Sequence, residues 1–255
     1  MMRKKPSRAL GFKAGFTGAA MEQMLQEFGC DTDFIALEEG VTRINVKVKS
    51  EDEFEINGQG PRIPEEKIRQ LYERLDALGS GDVLVLSGSI PNTLPDDMYE
   101  RIMERLAGTD VRIGVDATKD LLMNVLKYHP FLIKPNNHEL GEMFGVTLKS
   151  DEEIGEYARK LQKMGARNVL VSMAGDGAIL VAEDGSVLKQ LPPAGEVVNS
   201  VGAGDSMVAG FLAGYLKTGS YEEALKLGTA AGSATAFTSW LADADQIRET
   251  YKGLA

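Results

Sequence analysis

The chain has 255 residues, of which 43% are hydrophobic, and its formal net charge is -10 at pH 7. This length fits one large domain or two small ones with a full core. The acidic balance argues against a general nucleic-acid or anionic-membrane surface. The single cysteine, Cys30, excludes an internal disulfide, and His129 and His138 without clustered cysteines give no zinc site. With neither a membrane-length apolar run nor a secretory signal, we expect a cytoplasmic protein.

The first part of the chain begins with a strand at residues 9–12 and a helix at 19–28 that Gly29 ends. Residues 33–37, 42–49 and 53–57 then alternate apolar with polar side chains, which predicts an antiparallel ribbon. Turns at 38–40 and 50–52 separate these three strands. A ribbon of this size is not stable alone. We therefore expect it to pack on the main body or on a second subunit.

From Pro64 the chain alternates helices with strands, which predicts an α/β fold with a mostly parallel sheet between helical layers. The continuous apolar run at 83–86 is typical of a strand covered on both faces. The predicted helices are 65–78, 96–106, one from about 137, 151–164, and two rich in small residues from 203 and 221. The predicted strands are 83–86, 111–115, 131–133, 169–171, and a hairpin of 178–181 and 186–190.

One glycine-rich stretch, residues 199–207, precedes an amphipathic helix whose apolar residues recur at helical spacing. Without side chains at Gly202 and Gly204, an anion can approach the N–H groups of the helix start closely. Asp205 at that place is suited to accept a proton from a hydroxyl beside a bound phosphate. Taken alone, the stretch is more simply a helix start with an acidic residue favoured by the dipole.

Six ordered motifs favour the catalytic interpretation. They are 11–18 with its glycines, 43–46 (Arg-Ile-Asn-Val), 87–91 (Ser-Gly-Ser-Ile-Pro), 134–140 (Lys-Pro-Asn-Asn-His-Glu-Leu), 171–178 and 201–206 (Val-Gly-Ala-Gly-Asp-Ser). In this order they resemble the ribokinase-like (PfkB) carbohydrate kinases, over residues from about 9 to about 237. In detail they are most similar to the bacterial 1-phosphofructokinase branch.

The resemblance implies a ribokinase-like three-layer α/β/α sandwich with a small β lid at about 33–58, in one domain spanning residues 1–255. It implies that Asp205 is the general base, with Gly202, Ala203 and Gly204 as the anion hole for the transferring phosphate. The lids of such kinases pair across a two-fold axis, so a homodimer through the ribbon is expected.

Asn136 and Glu139 lie three residues apart where a strand is followed by a helix. In the resembled family this pair helps to hold Mg²⁺, largely through water, which suits an ion that keeps its waters. An N-terminal capping box explains the same spacing, and the two roles can coexist. Lys134 either reaches the nucleotide phosphates or is only a lysine at a strand end.

The ATP side of the implied site begins with the loop Ser172, Met173, Ala174, Gly175, Asp176 and Gly177. Asp176-Gly177 is a turn signal in its own right, and without the resemblance this loop would be a plain turn. Ser200, just before the glycines, and Ser233, in a helix low in bulk, complete the nucleotide set. Tight helix packing also explains the small residues around Ser233.

The phosphosugar side consists of Arg43, Ser87 and Ser89, together with Asp205. In the resembled branch this arginine, Arg43, reaches the sugar phosphate, for which its planar, forked guanidinium is suited, although an arginine on a ribbon is usually solvated. Ser87 and Ser89 follow a parallel strand, at the edge where α/β proteins bind ligands. They either bond the phosphosugar or cap the next helix.

The resembled family also carries, before the point matching Ala9, a sugar-binding aspartate and a Gly-Gly-Lys-Gly loop. Residues 1–8 carry no such signature, so the resemblance implies a chain without the family's N-terminal segment. The expected function is ATP-dependent conversion of fructose 1-phosphate to fructose 1,6-bisphosphate. A tagatose-6-phosphate kinase and an inactive relative that still binds nucleotide are the alternatives. A dinucleotide-dependent oxidoreductase lacks support because no Gly-x-Gly-x-x-Gly follows a strand.

Overall fold

The computed structural model describes residues 7–48, 54–117 and 119–254. The chain divides into two compact units. The first comprises Met1–Gly79 and Ile90–Ile102, and the second comprises Ser80–Ser89 and Met103–Ala255. Within the described ranges, none of the helices combines the length and the apolar character that a membrane crossing requires.

The first unit is built on a strand–helix–strand motif. Strand β1 (Arg8–Ala14) is followed by helix α1 (Gly15–Glu27) and strand β2 (Asp31–Leu37), and the two strands pair in parallel. The expected antiparallel ribbon is therefore wrong for residues 33–37. A helix between two strands reverses the chain and returns it parallel, which the alternation of apolar residues does not reveal. Helix α2 (Glu65–Asp76) contacts β2.

An antiparallel hairpin forms the rest of the predicted ribbon. Strand β3 (Asn45–Val48) pairs with β4 (Phe54–Asn57), with Val46 opposite Ile56. The predicted turn at 50–52, together with residues 49 and 53, lies outside the described residues, as do residues 1–6. The lid boundaries at about 33–58 stay a prediction.

The second unit contains a six-stranded sheet in the order β10-β9-β8-β7-β6-β5. Its strands are β5 (Val83–Ser87), β6 (Arg112–Asp116), β7 (Leu132–Ile133), β8 (Asn168–Ser172), β9 (Ala178–Val181) and β10 (Val187–Gln190). Strands β5 to β8 are parallel, whereas β9 and β10 form the predicted hairpin and run antiparallel to their neighbours. The mostly parallel sheet is confirmed.

The remaining helices are α3 (Met98–Arg105), α4 (Lys119–Val125), α5 (Asn137–Phe144), α6 (Asp151–Lys163), α7 (Ala203–Thr218), α8 (Tyr221–Ala236) and α9 (Ala244–Lys252). Helices α4 and α9 were missed by the sequence analysis. Helix α9 is short and polar, and its start is fixed by a capping box from Asp243 and Gln246. Short polar helices bury too little apolar surface to show a clear period.

Helices cover both faces of the six-stranded sheet. Leu170 and Leu180 belong to one buried cluster with Phe211 and Leu212 of α7. Neighbouring residues in a strand point to opposite faces of the sheet. Val169 is equally buried and precedes Leu170, so it faces the helices on the other side of the sheet. There α5 contacts β8, and α6 contacts β8 and β9. This is the expected three-layer α/β/α arrangement. Each fully buried leucine or valine side chain stabilises the folded state by about 1.5–3 kcal/mol relative to an exposed one.

Helices α7 and α8 pack closely because glycines replace side chains at their contact. A Cβ at Gly210 would lie 2.6 Å from the carbonyl oxygen of Leu227, and one at Gly228 would lie 2.9 Å from that of Met207. No Cβ atom fits at such distances. The small residues of these helices thus have a packing role, and this packing fixes the position of the start of α7.

Candidate active site

Three strands of the second unit end in polar side chains at the same edge of the sheet. Ser87 is the last residue of β5, and Asp116, the last residue of β6, is its register partner. Lys134 follows directly after β7, and its N–H bonds the carbonyl of Val115 at 3.4 Å. Carboxyl ends of parallel strands are where α/β folds bind ligands. This edge is therefore the candidate active site.

The start of α7 faces this edge. Gly202 caps the helix with φ +80°, a left-handed conformation that favours glycine. The N–H of Ala203 bonds Ser200, and that of Ser206 bonds the carbonyl of Gly202. Within the described ranges, the N–H groups of Gly204 and Asp205 have no backbone acceptor in the first turn. N–H groups at the positive end of a helix dipole are suited to bind an anion.

Lys134 places a positive charge at the same point. Its side chain is buried, with only 7% of the residue exposed, and its ammonium lies 3.3 Å from Oδ1 of Asp116. A Cβ at Gly204 would lie 3.1 Å from Nζ of Lys134. The absence of a side chain at 204 thus lets the ammonium and the helix start approach one another. The expectation of a mere strand-end lysine does not account for this burial.

Asp116 was not among the residues identified from the sequence. Burial raises its pKa, while the Lys134 ammonium lowers it, and the carboxylates of Asp205 and Glu139 raise it further. These four groups therefore interact electrostatically at one edge of the sheet. The sequence did contain a signal for Asp116. It directly follows an apolar predicted strand, as Ser87 follows another.

Asp205 is joined to the sheet by a side-chain hydrogen bond. The hydroxyl of Ser87 donates to Oδ1 of Asp205 at 3.0 Å, across 118 positions of sequence. The contact brings together two residues that the sequence analysis assigned to one substrate site. It also shows that Ser87 points toward the start of α7.

Asn136 and Glu139 form the capping box that their spacing suggested. Oδ1 of Asn136 accepts from the N–H of Glu139, and Oε2 of Glu139 accepts from the N–H of Asn136, both at 2.8 Å. The capping box uses Oε2 of Glu139 and not Oε1. In the described part of the chain, no three His, Cys, Asp or Glu side chains are grouped to hold a metal ion by themselves. Any divalent ion here depends on water and substrate oxygens.

The predicted ATP loop is a tight turn after β8. Ala174 to Asp176 form a short 3-10 helix, and the N–H of Met173 bonds the carbonyl of Gly177 at 2.8 Å. Gly177 has φ +88°, and a Cβ there would lie 2.1 Å from the carbonyl oxygen of Gln190. Gly175, by contrast, has open space where a Cβ would be. Gly177 is thus required by packing, whereas Gly175 leaves the loop backbone accessible.

The segment before α7 is held to the end of α8. The N–H groups of Val198 and Asn199 both bond the carbonyl of Ala236. Gly202 lies against Leu241, since a Cβ there would be 2.7 Å from Cδ2 of that side chain. The only tryptophan of the sequence, Trp240, is 56% exposed and follows Ser239, whose carbonyl accepts a hydrogen bond from the side chain of Asn199. Ser200 is exposed and Ser233 is half-buried in α8.

The structure brings Ser87, Lys134 and the start of α7 together, and adds Asp116. Ser89 is exposed two residues beyond β5, in the same unit. Arg43 is exposed just before β3 and belongs to the first unit.

Comparison with known proteins gives consistent findings. The model of the pfkB family of carbohydrate kinases matches residues 7–244. The 1-phosphofructokinase of Bacillus subtilis (strain 168) is 47% identical over 243 residues, which are 95% of this chain and 80% of that protein. The D-tagatose-1-phosphate kinase of Bacillus licheniformis is 38% identical over 243 residues, covering 95% and 79%. The crystal structure of phosphofructokinase-2 from Escherichia coli in complex with substrates and products matches with a TM-score of 0.87 at 26% identity. That match covers 97% of this chain and 82% of the other.

Proposed function

Because the chain belongs to the pfkB family of carbohydrate kinases, we propose that it phosphorylates fructose 1-phosphate with ATP to give fructose 1,6-bisphosphate and ADP. The chain is a sugar-phosphate kinase by family, and ATP is the phosphoryl donor of that family. The relative from Bacillus subtilis supports the choice of fructose 1-phosphate.

The observation that carries the proposed mechanism is the arrangement at the start of α7. One carboxylate, Asp205, stands in the first turn, where two backbone N–H groups and the ammonium of Lys134 converge. Phosphoryl transfer needs little covalent help from a protein and depends on positioning and charge stabilisation. A base beside an anion-binding position is the arrangement that this chemistry uses.

In the proposed step, the C6 hydroxyl oxygen of the sugar forms a bond to the γ-phosphorus of ATP. The bond from that phosphorus to the β–γ bridging oxygen breaks, and ADP leaves with the electron pair. Asp205 takes the hydroxyl proton. The N–H groups of Gly204 and Asp205, with Gly202 and Ala203 shaping the turn, stabilise the negative charge on the transferring group. Lys134 contributes a positive charge at the same place.

Asn136 and Glu139 fit a role as water-mediated Mg²⁺ ligands. Oxygen donors suit this ion, and Oε1 of Glu139 is left over by the capping box. Held there, Mg²⁺ would neutralise part of the negative charge of the ATP phosphates. The box itself serves to hold Glu139 in a fixed orientation at the helix start.

The remaining site residues are assigned to the two substrates. Residues 172–177, Ser200 and Ser233 are proposed to contact the nucleotide, with Gly175 allowing close approach. Ser89 and Arg43 are proposed to contact the phosphosugar.

A second candidate is a kinase acting on a tagatose phosphate. The 38% identity with a D-tagatose-1-phosphate kinase favours tagatose 1-phosphate within this class. The tagatose 6-phosphate expected as the alternative remains a test substrate. Tagatose and fructose differ only in the configuration of one hydroxyl group. The choice between the two substrates therefore depends on the sugar pocket and not on the residues that transfer the phosphoryl group.

Steady-state kinetics decides between these substrates. ADP release is followed with fructose 1-phosphate, fructose 6-phosphate, tagatose 1-phosphate and tagatose 6-phosphate, each with Mg·ATP. We expect kcat/KM to be greatest for fructose 1-phosphate, with fructose 1,6-bisphosphate identified by phosphorus NMR. A greater kcat/KM for a tagatose phosphate would replace the proposed substrate by the second candidate.

Nucleotide binding is measured separately through Trp240. This is the only tryptophan of the sequence, and it lies beside the segment that leads into α7. A saturable change of its fluorescence on adding Mg·ATP is expected. Saturation by Mg·ATP, with no ADP formed in the presence of any of the four sugar phosphates, would indicate a nucleotide-binding chain without kinase activity.

A further inference from the structure

Strand pairing within the sheet holds the backbone of Ser87 in place. It is the last residue of β5 and pairs in register with Asp116 of β6. The N–H of the next residue, Gly88, bonds the carbonyl of Asp116 at 3.1 Å, and Gly88 has φ +88°. The end of β5 at Ser87 is thus anchored to β6.

The carboxylate that Ser87 contacts has a fixed backbone but a rotatable side chain. Asp205 lies in the first turn of α7, whose position is set by close packing on α8. Its carboxylate is exposed, so packing does not fix its side-chain torsions. The hydrogen bond from Ser87 to Oδ1 fixes them and directs one oxygen to the sheet edge.

We propose that Ser87 is a positioning residue for the base Asp205, holding its carboxylate in the orientation that accepts the sugar proton. This inference rests on the proposed function of Asp205 and differs from a role of Ser87 in binding the phosphosugar. The physical reason is that a reacting group must be held to within a fraction of an ångström of its productive position. A misplacement of about 1 Å can cost about 10²-fold in rate.

The kinetic test uses Ser87→Ala with Ser89→Ala as the contrasting variant. Ser87→Ala is expected to lower kcat by about 10–10²-fold, with KM for ATP and for fructose 1-phosphate nearly unchanged. Ser87→Thr keeps a hydroxyl donor and is expected to restore most of kcat. Ser89→Ala, at a proposed sugar contact, is expected to raise KM for the sugar instead. An unchanged kcat in Ser87→Ala, or an effect confined to KM for the sugar, overturns the proposal.

A crystallographic test separates this proposal from the proposed function. In the crystal structure of the wild-type protein, we expect Ser87 Oγ within about 3.2 Å of the Asp205 carboxylate. In Ser87→Ala, that carboxylate is expected to rotate or to occupy several positions. An unmoved, single conformation in Ser87→Ala overturns the positioning role, even when the wild type is fully active. Absence of kinase activity in the wild type contradicts the proposed function alone, because the crystal structures still decide whether Ser87 orients Asp205.

Discussion

Asp116 at the edge of the sheet and Asp205 in the facing first turn of α7 are two carboxylates in different surroundings. Asp205 is exposed in a helix start and accepts a hydrogen bond, whereas Asp116 is largely buried against Lys134. Pairs of titratable groups in different environments commonly divide the roles of a site. We assign proton transfer to the accessible carboxylate and the placement of Lys134 to the buried one.

Asp205→Asn is expected to lower kcat by about 10²–10⁴-fold, because the amide cannot take a proton from the sugar hydroxyl. The amide oxygen can still accept from Ser87, so folding should be kept. The measurement is the turnover number, with the ATP titration of Trp240 fluorescence and the melting temperature as controls. Retention of more than about a tenth of wild-type turnover would falsify the assignment of the base.

Asp116 should make stability depend on pH with a defined sign. Its pKa is raised by burial, so the folded protein binds this proton more tightly than the unfolded chain does. The contribution of Asp116 to the free energy of unfolding is therefore complete at pH values below its pKa in the unfolded chain, about 3.9. It is lost as the pH rises through its pKa in the folded protein. Lys134, Asp205 and Glu139 are the charged groups that act on it.

The measurement is the free energy of unfolding of the wild type minus that of Asp116→Asn, from urea titrations at several pH values. This difference is expected to fall as pH rises from about 4 toward neutrality. Asp184→Asn is the matched control, since hydrogen bonds from Ser186 lower the pKa of Asp184. For Asp184→Asn, the same difference in free energy of unfolding is therefore expected to rise with pH. A difference for Asp116→Asn that rises with pH contradicts the prediction.

At the scale of elements, the contact between α7 and α8 sets the position of the first turn of α7. Gly210 has no room for a side chain, because a Cβ would lie 2.6 Å from a backbone carbonyl oxygen. Backbone in contact with backbone cannot relax without moving a whole helix. A change in this contact therefore displaces the start of α7 as well as the core.

Gly210→Ala is expected to reduce the free energy of unfolding by about 1–3 kcal/mol through overpacking. The matched control is Gly155→Ala in α6, where the nearest atom to an added Cβ is a methyl group of Val187 at 3.8 Å. That control should gain up to about 1 kcal/mol from helix propensity. Both values come from urea unfolding, and equal effects at the two positions would contradict the packing argument.

At the scale of the whole molecule, the hairpin β3–β4 presents an exposed apolar face. Val46 and Ile56 are register partners and are 44% and 58% exposed, and Ile44, two residues before Val46, is 59% exposed. A two-stranded hairpin with such a face is usually covered by another surface. We propose that a second copy of the chain covers it, as the pairing of lids in the resembled family implies.

Ile56→Glu is therefore expected to shift the protein from dimer to monomer, because an unpaired charge would be buried at the contact. Val187→Glu is the control, since Val187 is an exposed strand residue of the second unit at 43%. Sedimentation velocity over a wide range of protein concentration measures both. A wild type that is monomeric throughout, or an Ile56→Glu variant that still dimerises, contradicts this interface.

The local pattern of the sequence determined the fold class, the order of most helices and strands, and the family. Helical and strand periods, and motifs such as residues 201–206, depend on neighbours within a few positions, and such patterns survive without tertiary information. The capping box of Asn136 and Glu139 was readable for the same reason. The motif also indicated Asp205 as the base, which remains a proposal.

Only the tertiary structure decided how β2 pairs and which polar groups meet. The parallel pairing of β1 with β2 depends on the helix between them, and alternation along a strand is the same for either direction. The contact of Ser87 with Asp205 joins residues 118 positions apart, and the burial of Asp116 against Lys134 depends on adjacent strands ending together. Such contacts follow from chain packing, because no local pattern specifies which distant side chain fills the space beside a given one.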